Sequence, residues 1–140
     1  SSFGGPSVIL ASTDKRVKKV VALSPVIDWR AETKFEPIDR IGKFTRIAFG
    51  NGYRFKQKDW DKLKNGTFYN PIAMFRKLDK NKIYIIHAKD DEVVYANTSV
   101  VFSKKLGCKI TLLKKGGHLS TFDLVKTTFW KRVNNFLKSK

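Results

Sequence analysis

Apolar residues along the chain follow two alternating rhythms, short continuous runs and longer stretches with a three-to-four spacing. The clearest run is Lys-Ile-Tyr-Ile-Ile-His at residues 82–87. Its β-branched and aromatic residues, with no polar alternation, predict a parallel strand covered on both faces. Cys108 to Leu113 predicts a second such strand, and Lys18 to Leu23 a third that stops at Ser24 and Pro25. Between them the spacing turns helical. Pro6 to Thr13 predicts a short helix, with proline tolerated in the first turn because its missing N–H would have had no partner there. Val94 to Leu106 predicts another, ended by Gly107 as a C-cap. Phe122, Val125, Phe129, Val133 and Phe136 mark the apolar stripe of a long amphipathic C-terminal helix. Strands alternating with helices point to βα units and a mainly parallel sheet, an α/β fold.

The rhythm breaks between Asp28 and Asn70. That stretch holds Trp29, Phe35, Phe44, Phe49, Tyr53, Phe55, Trp60, Phe68 and Tyr69, with Ile38, Ile41, Phe44 and Ile47 at helical spacing before Gly50-Asn51-Gly52. We read residues 30–70 as a helical, aromatic-rich insertion. Its rings either form a cap over a pocket or build the insertion's own small core. No internal repeat or low-complexity linker is present.

Composition adds bounds. The 140 residues are enough for one domain with a real core, and no run approaches the roughly 18 apolar residues that a membrane span needs. A soluble chain with no membrane partner is expected. The single cysteine, Cys108, excludes an internal disulfide and a cysteine-based zinc site. It fits a reducing compartment, so a cytoplasmic location is the expectation, and beside Ile110 it reads as an inert buried thiol. A net charge of +17 raises the prospect of a nucleic-acid or anionic-surface partner. The lysines and arginines, however, are scattered in small groups such as Lys15-Arg16 and Lys104-Lys105. No groove-binding or single-strand signature accompanies them, so solvated faces are the preferred reading and no specific nucleic acid is expected.

Three segments carry candidate chemistry, each at a passage from strand to loop or helix. Ser1-Ser2-Phe3-Gly4-Gly5 supplies the S-x-G-G part of a nucleophile elbow, with Ser2 as the residue two positions before a glycine. Such a turn needs small residues because it is tight and because the following helix packs close to the sheet. The Phe3 N–H would lie at that helix start, aimed at a developing oxyanion. His87-Ala88-Lys89-Asp90-Asp91 follows the strongest strand, at the face where open α/β sheets place their sites. Taken alone, an aspartate there reads as a cap of the helix starting near Val94. Lys115-Gly116-Gly117-His118 follows the last strand, its glycines letting the loop present an imidazole. The other histidine, His87, ends a strand and reads as a partly buried structural residue beside the site. The order Ser, Asp, His, with all three at strand exits, is the one expected of a nucleophile-elbow architecture.

In these residues the chain resembles the α/β-hydrolases, and among them the prolyl-oligopeptidase-type serine hydrolases and their esterase-like relatives. The matching features are the elbow at Ser2 to Gly5, Ser24-Pro25-Val26-Ile27-Asp28-Trp29 after a strand, and Asn70-Pro71 before the next. They continue through Ile85-Ile86-His87, Asp91-x-Val93-Val94 and Gly117-His118. The resemblance implies Ser2 as nucleophile, Asp91 as the acid four positions after the strand-end histidine, and His118 as general base, with Phe3 as one backbone oxyanion donor. Asp90 is the alternative acid. Ala88 stands where the family usually has glycine, and Tyr95 where it usually has proline.

By the same resemblance the chain is the C-terminal portion, residues 1–140, of a single catalytic domain that begins at its elbow. The N-terminal strands, the loop giving the second oxyanion donor and any upstream domain would lie in the rest of the protein. That missing part is then the chain's first partner, and the isolated 140 residues are expected to be marginally stable and inactive. The implied activity is cleavage of a small peptide or ester substrate without a cofactor or metal. Two other classes stay open: a non-catalytic binding protein on the same scaffold, and a basic module for nucleic acid or an anionic surface.

Overall fold

The computed structural model describes residues 1–31, 38–52, 54–120 and 126–139, without the side chains of 38–41 and 120. Three strands, β1 (Val20–Leu23), β2 (Ile83–Ala88) and β3 (Lys109–Leu113), form a parallel sheet in the order β1-β2-β3. Val20 pairs with Ile83 and Leu23 with Ile86, while Tyr84 pairs with Lys109 and Ala88 with Leu113.

The central strand is buried along its whole length, as its continuous apolar run predicts. Alternate residues feed opposite layers. Ile83 and Ile85 join Ile9 of helix α1 (Gly5–Ala11), Phe102 of α4 (Ala96–Leu106) and Leu78. Tyr84 and Ile86 face Phe129, Val133 and Phe136 of the C-terminal helix α5 (Thr127–Lys138). A fully buried isoleucine such as Ile85 contributes about 1.5–3 kcal/mol, so β2 is the strand around which both layers are held. The predicted C-terminal helix is seen from Thr127 onward; Phe122 and Val125 lie outside the described residues. Gly107 ends α4 as expected, its N–H bonded to the Ser103 carbonyl at 2.7 Å. Cys108 is buried, and burial pushes its thiol pKa up, as an inert thiol requires. Lysines at the sheet's edge lie over rings: Lys19 Nζ is 5.0 Å from the Phe136 centroid and Lys109 Nζ 4.8 Å from that of Tyr84.

The stretch between Trp29 and Asn70 is helical where it is described, with α2 (Ile38–Phe49), α3 (Gln57–Asp61) and short 3₁₀ turns. Phe35 and Tyr53 lie outside the described residues. Helix α2 stops at the predicted glycines, but two of its regularly spaced apolar residues are not buried: Phe44 is 56% and Ile47 76% exposed. Among the described side chains of α2, the buried positions are small ones. Gly42 lies against the indole of Trp60, where an added Cβ would sit 3.1 Å from the ring, and Thr45, one turn on, is buried. A flat ring admits a helix closely only where the helix lacks bulk.

Both ends of this stretch are tied together beside the sheet. Trp29 Nε1 donates to the Tyr69 carbonyl at 2.9 Å, and Asn70 Nδ2 donates to Asp28 Oδ1 at 2.8 Å. Trp29 and Leu63 then pack with Val26, Val94, Phe3 and Trp60 under the loops that leave the strands. The rings of Trp29 and Trp60 therefore pack with residues of this stretch and with those of the loops at once.

Candidate functional site

The three segments converge. Ser2 begins a 3₁₀ turn that runs directly into α1, and its φ of +45° places a non-glycine residue in the left-handed region. Such a conformation costs about 1–3 kcal/mol and persists only when the surroundings impose it. Two contacts do so. The Val26 N–H donates to the Ser2 carbonyl at 3.3 Å, and Gly5 packs so close to the β1 exit that a Cβ there would sit 2.4 Å from Pro25 Cβ. Of the two elbow glycines only Gly5 is sterically required, since a Cβ on Gly4 would meet nothing within 4 Å.

His118 reaches the same point from the loop after β3. Gly117, with φ +58°, turns the chain so that His118 Nε2 lies 3.0 Å from Ser2 Oγ. On its other side His118 Nδ1 meets Asp91 at 3.0 Å (Oδ2) and 3.2 Å (Oδ1). Facing two carboxylate oxygens, Nδ1 carries the ring proton, which leaves Nε2 free to accept from the serine hydroxyl. The histidine side chain is 21% exposed and the aspartate fully buried.

Asp91 is saturated with donors. Its Oδ1 accepts from the Val93 and Val94 N–H groups at 2.9 Å each, and its Oδ2 from His87 Nε2 at 3.1 Å as well as from His118. Burial pulls the carboxyl pKa upward, but the bonds from His118, His87 and the Val94 N–H outweigh it and hold the group well below the usual carboxylate range. His87 Nε2 also contacts the Val94 carbonyl at 2.8 Å, so with two acceptors before it this nitrogen carries the proton. Its Nδ1 pairs with the Ser99 hydroxyl at 2.9 Å. His87 is thus a structural neighbour of the site, fully and not partly buried, and it bonds Oδ2 of Asp91.

Asp90 does not reach the imidazole. Its carboxylate accepts from the Gly117 N–H at 3.0 Å and the Gly116 N–H at 3.2 Å, in the turn that delivers His118. Two further contributors have no sequence signal. Ser24, with φ +42°, accepts the Leu119 N–H on its hydroxyl at 3.2 Å, and Ser99 lies under His87 within α4. The serine before Pro25 marks a strand end, but nothing in its neighbours tells that its side chain meets the residue after His118.

Phe3, the residue after Ser2, helps to line an apolar cavity of about 350 Å³. Its walls include Phe3, Trp29, Phe55, Trp60, Leu63 and Phe68. Phe3 stacks on Trp29 at 5.8 Å, and Trp29 meets Trp60 edge-on at 6.2 Å.

No family model matches the chain, and neither does any curated protein sequence. Solved structures do match. Est1E from Butyrivibrio proteoclasticus is similar over 99% of this chain and 59% of its own, at 22% identity and a TM-score of 0.59. Acylaminoacyl peptidase from Pyrococcus horikoshii aligns with 96% of this chain at 18% identity and a TM-score of 0.54. An acylaminoacyl peptidase in complex with Z-Gly-Gly-Phe-chloromethyl ketone does so at 19% identity and 0.53. The chain spans 21% of each of these peptidase chains and 59% of Est1E. From the parallel sheet, its flanking helices and these likenesses, the architecture of the chain is that of part of an α/β-hydrolase fold.

Proposed function

We propose that this chain carries the acyl-transfer centre of a serine hydrolase, with Ser2 as nucleophile, His118 as general base and Asp91 as the residue that orients it. The observation behind this reading is the unbroken relay from Ser2 Oγ to His118 Nε2 and from His118 Nδ1 to Asp91, with 3.0 Å at each link. A serine hydroxyl is a poor nucleophile unless a neighbouring base takes its proton as it attacks. His118 Nε2 accepts that proton while Ser2 Oγ adds to a carbonyl, and the buried Asp91 carboxylate stabilises the imidazolium that results. Collapse of the tetrahedral adduct expels the amine or alcohol, which takes the proton from Nε2, and leaves Ser2 acylated. Water then repeats the sequence and frees the acid. The Phe3 N–H, in the first turn of the helical segment after Ser2, serves as one donor to the oxyanion.

The aromatic cavity beside Phe3 suits an apolar acyl or side-chain group of the substrate. Small peptides and esters both present such a group next to a carbonyl, and the fold's likeness to a peptidase and to Est1E is compatible with either. Treatment of the full-length protein with a fluorophosphonate probe is expected to give one covalent adduct, mapping by peptide mass spectrometry to Ser2. Absence of labelling, or labelling at another residue, would overturn the proposal.

A further inference from the structure

We infer that Asp90 is a positioning residue for His118, acting through the backbone of the Gly116–Gly117 turn and not through the imidazole. Its kinetic consequence rests on the serine-hydrolase reading; its structural one does not.

Two adjacent carboxylates leave the same strand and part. Asp91 turns inward to the imidazole, whereas Asp90 stays exposed and spans the gap between two loops, Oδ1 on the Gly117 N–H and Oδ2 on the Gly116 N–H. Its own base is firm, because the Lys89 N–H beside it bonds the Leu113 carbonyl at 2.9 Å and so extends the β2–β3 pairing to the residue before Asp90. Among the described residues, packing gives this turn little further support. Gly117 has no side chain, and the space a Cβ would occupy there is open to beyond 4 Å, so packing does not fix this bend. Beyond His118, the Leu119 N–H is held by Ser24 Oγ at 3.2 Å. The backbone on either side of the imidazole is therefore anchored by side chains, one from the β2 exit and one from the β1 exit. The Gly117 N–H is also the largest cause of an Asp90 pKa below the ordinary value.

A glycine pair released from such a clamp lets the imidazole wander, and displacement of a reacting group by about 1 Å can cost about 100-fold in rate. With p-nitrophenyl acetate as probe substrate and the full-length protein, Asp90→Ala is expected to lower kcat about 10- to 100-fold with KM nearly unchanged. Asp90→Asn keeps one oxygen for Gly117 and is expected to recover most of that loss. Amide hydrogen exchange at Gly116 and Gly117 should quicken in Asp90→Ala, while β2 amides stay protected and the melting temperature is nearly kept. Unchanged kcat in Asp90→Ala would overturn the inference. So would an Asp90→Asn variant as inactive as Asp91→Asn, because Asp90 would then be acting as the acid. If the parent neither hydrolyses the ester nor takes the fluorophosphonate, the hydrolase reading fails, yet the exchange rates still decide the clamp: unchanged exchange at Gly116 and Gly117 refutes it. Should Asp90→Ala not fold, the exchange comparison is made on Asp90→Asn, where quickening at Gly116, the amide that loses its acceptor, is required.

Discussion

Asp91→Asn is expected to lower kcat about 10⁴-fold, leaving KM nearly unchanged, because it forces His118 into the wrong tautomer. The Asp91 carboxylate faces four donors and no acceptor: the Val93 and Val94 N–H groups on Oδ1, and His87 and His118 on Oδ2. An asparagine must set its NH₂ toward one side. The backbone N–H groups cannot change their polarity, so the amide oxygen faces them and the NH₂ faces the histidines. His87 Nε2 must keep its proton for the Val94 carbonyl, which leaves His118 as the ring that adapts. Its Nδ1 becomes an acceptor, its proton moves to Nε2, and Nε2 can no longer take a proton from Ser2. Steady-state kinetics on the full-length variant check this, with Ser2→Ala as the reference for complete loss of the nucleophile. A kcat within tenfold of the parent would remove Asp91 from the reaction.

The same residue ties stability to pH. Because the folded Asp91 pKa lies below its unfolded value of about 3.9, its contribution is fully present above that value. It fades as pH drops below about 3.9 and is lost as pH falls through the folded pKa. Asp91→Asn removes this part of the acid dependence, so parent and variant melting temperatures should draw together as the solution is acidified.

Gly5→Ala is expected to destabilise the protein by about 1–3 kcal/mol, as overpacking does where neither side can give way. The added methyl would sit 2.4 Å from Pro25 Cβ and 2.7 Å from Pro25 Cα, and the second of these is backbone. Relief requires α1 to move off the β1 exit, which also breaks the bond from the Val26 N–H to the Ser2 carbonyl and releases the elbow. Gly4→Ala, one residue earlier, has open space and an ordinary helical φ of −76°, so it should be neutral or slightly stabilising. Urea melts of the two variants make the comparison. Equal midpoints would mean that the elbow's second glycine is not there for close approach.

Residues 82–87 could be read directly because a strand buried on both sides leaves its mark in every position. The Ser, Asp and His segments were legible for a related reason: loops that serve a strand-end site need small residues and polar groups at fixed distances from the strand. What stayed illegible was where neighbouring side chains point. Asp90 and Asp91 are equivalent in composition and context, and only the register of the loop sends one inward and the other across to Gly116 and Gly117. The face of α2 was misleading for a different reason. Apolar spacing at Phe44 and Ile47 suggests burial, but it is Gly42 that lies against the flat Trp60 ring, and its smallness carries no hydrophobic signal. Ser24 belongs with these cases, since its bond to Leu119 spans 95 residues and depends on both loops having formed.

Ser2, Ser24 and Leu119 all have positive φ without being glycine. They are linked in one small circuit: Ser2 bonds His118, His118 precedes Leu119, and Leu119 bonds Ser24. Each of these conformations is one that its own dipeptide would seldom visit, so none can be preorganised locally before the sheet assembles. The circuit is therefore expected to open under mild denaturant ahead of the β2 core. Loss of reactivity should thus be a more sensitive gauge of this protein's integrity than its helical content.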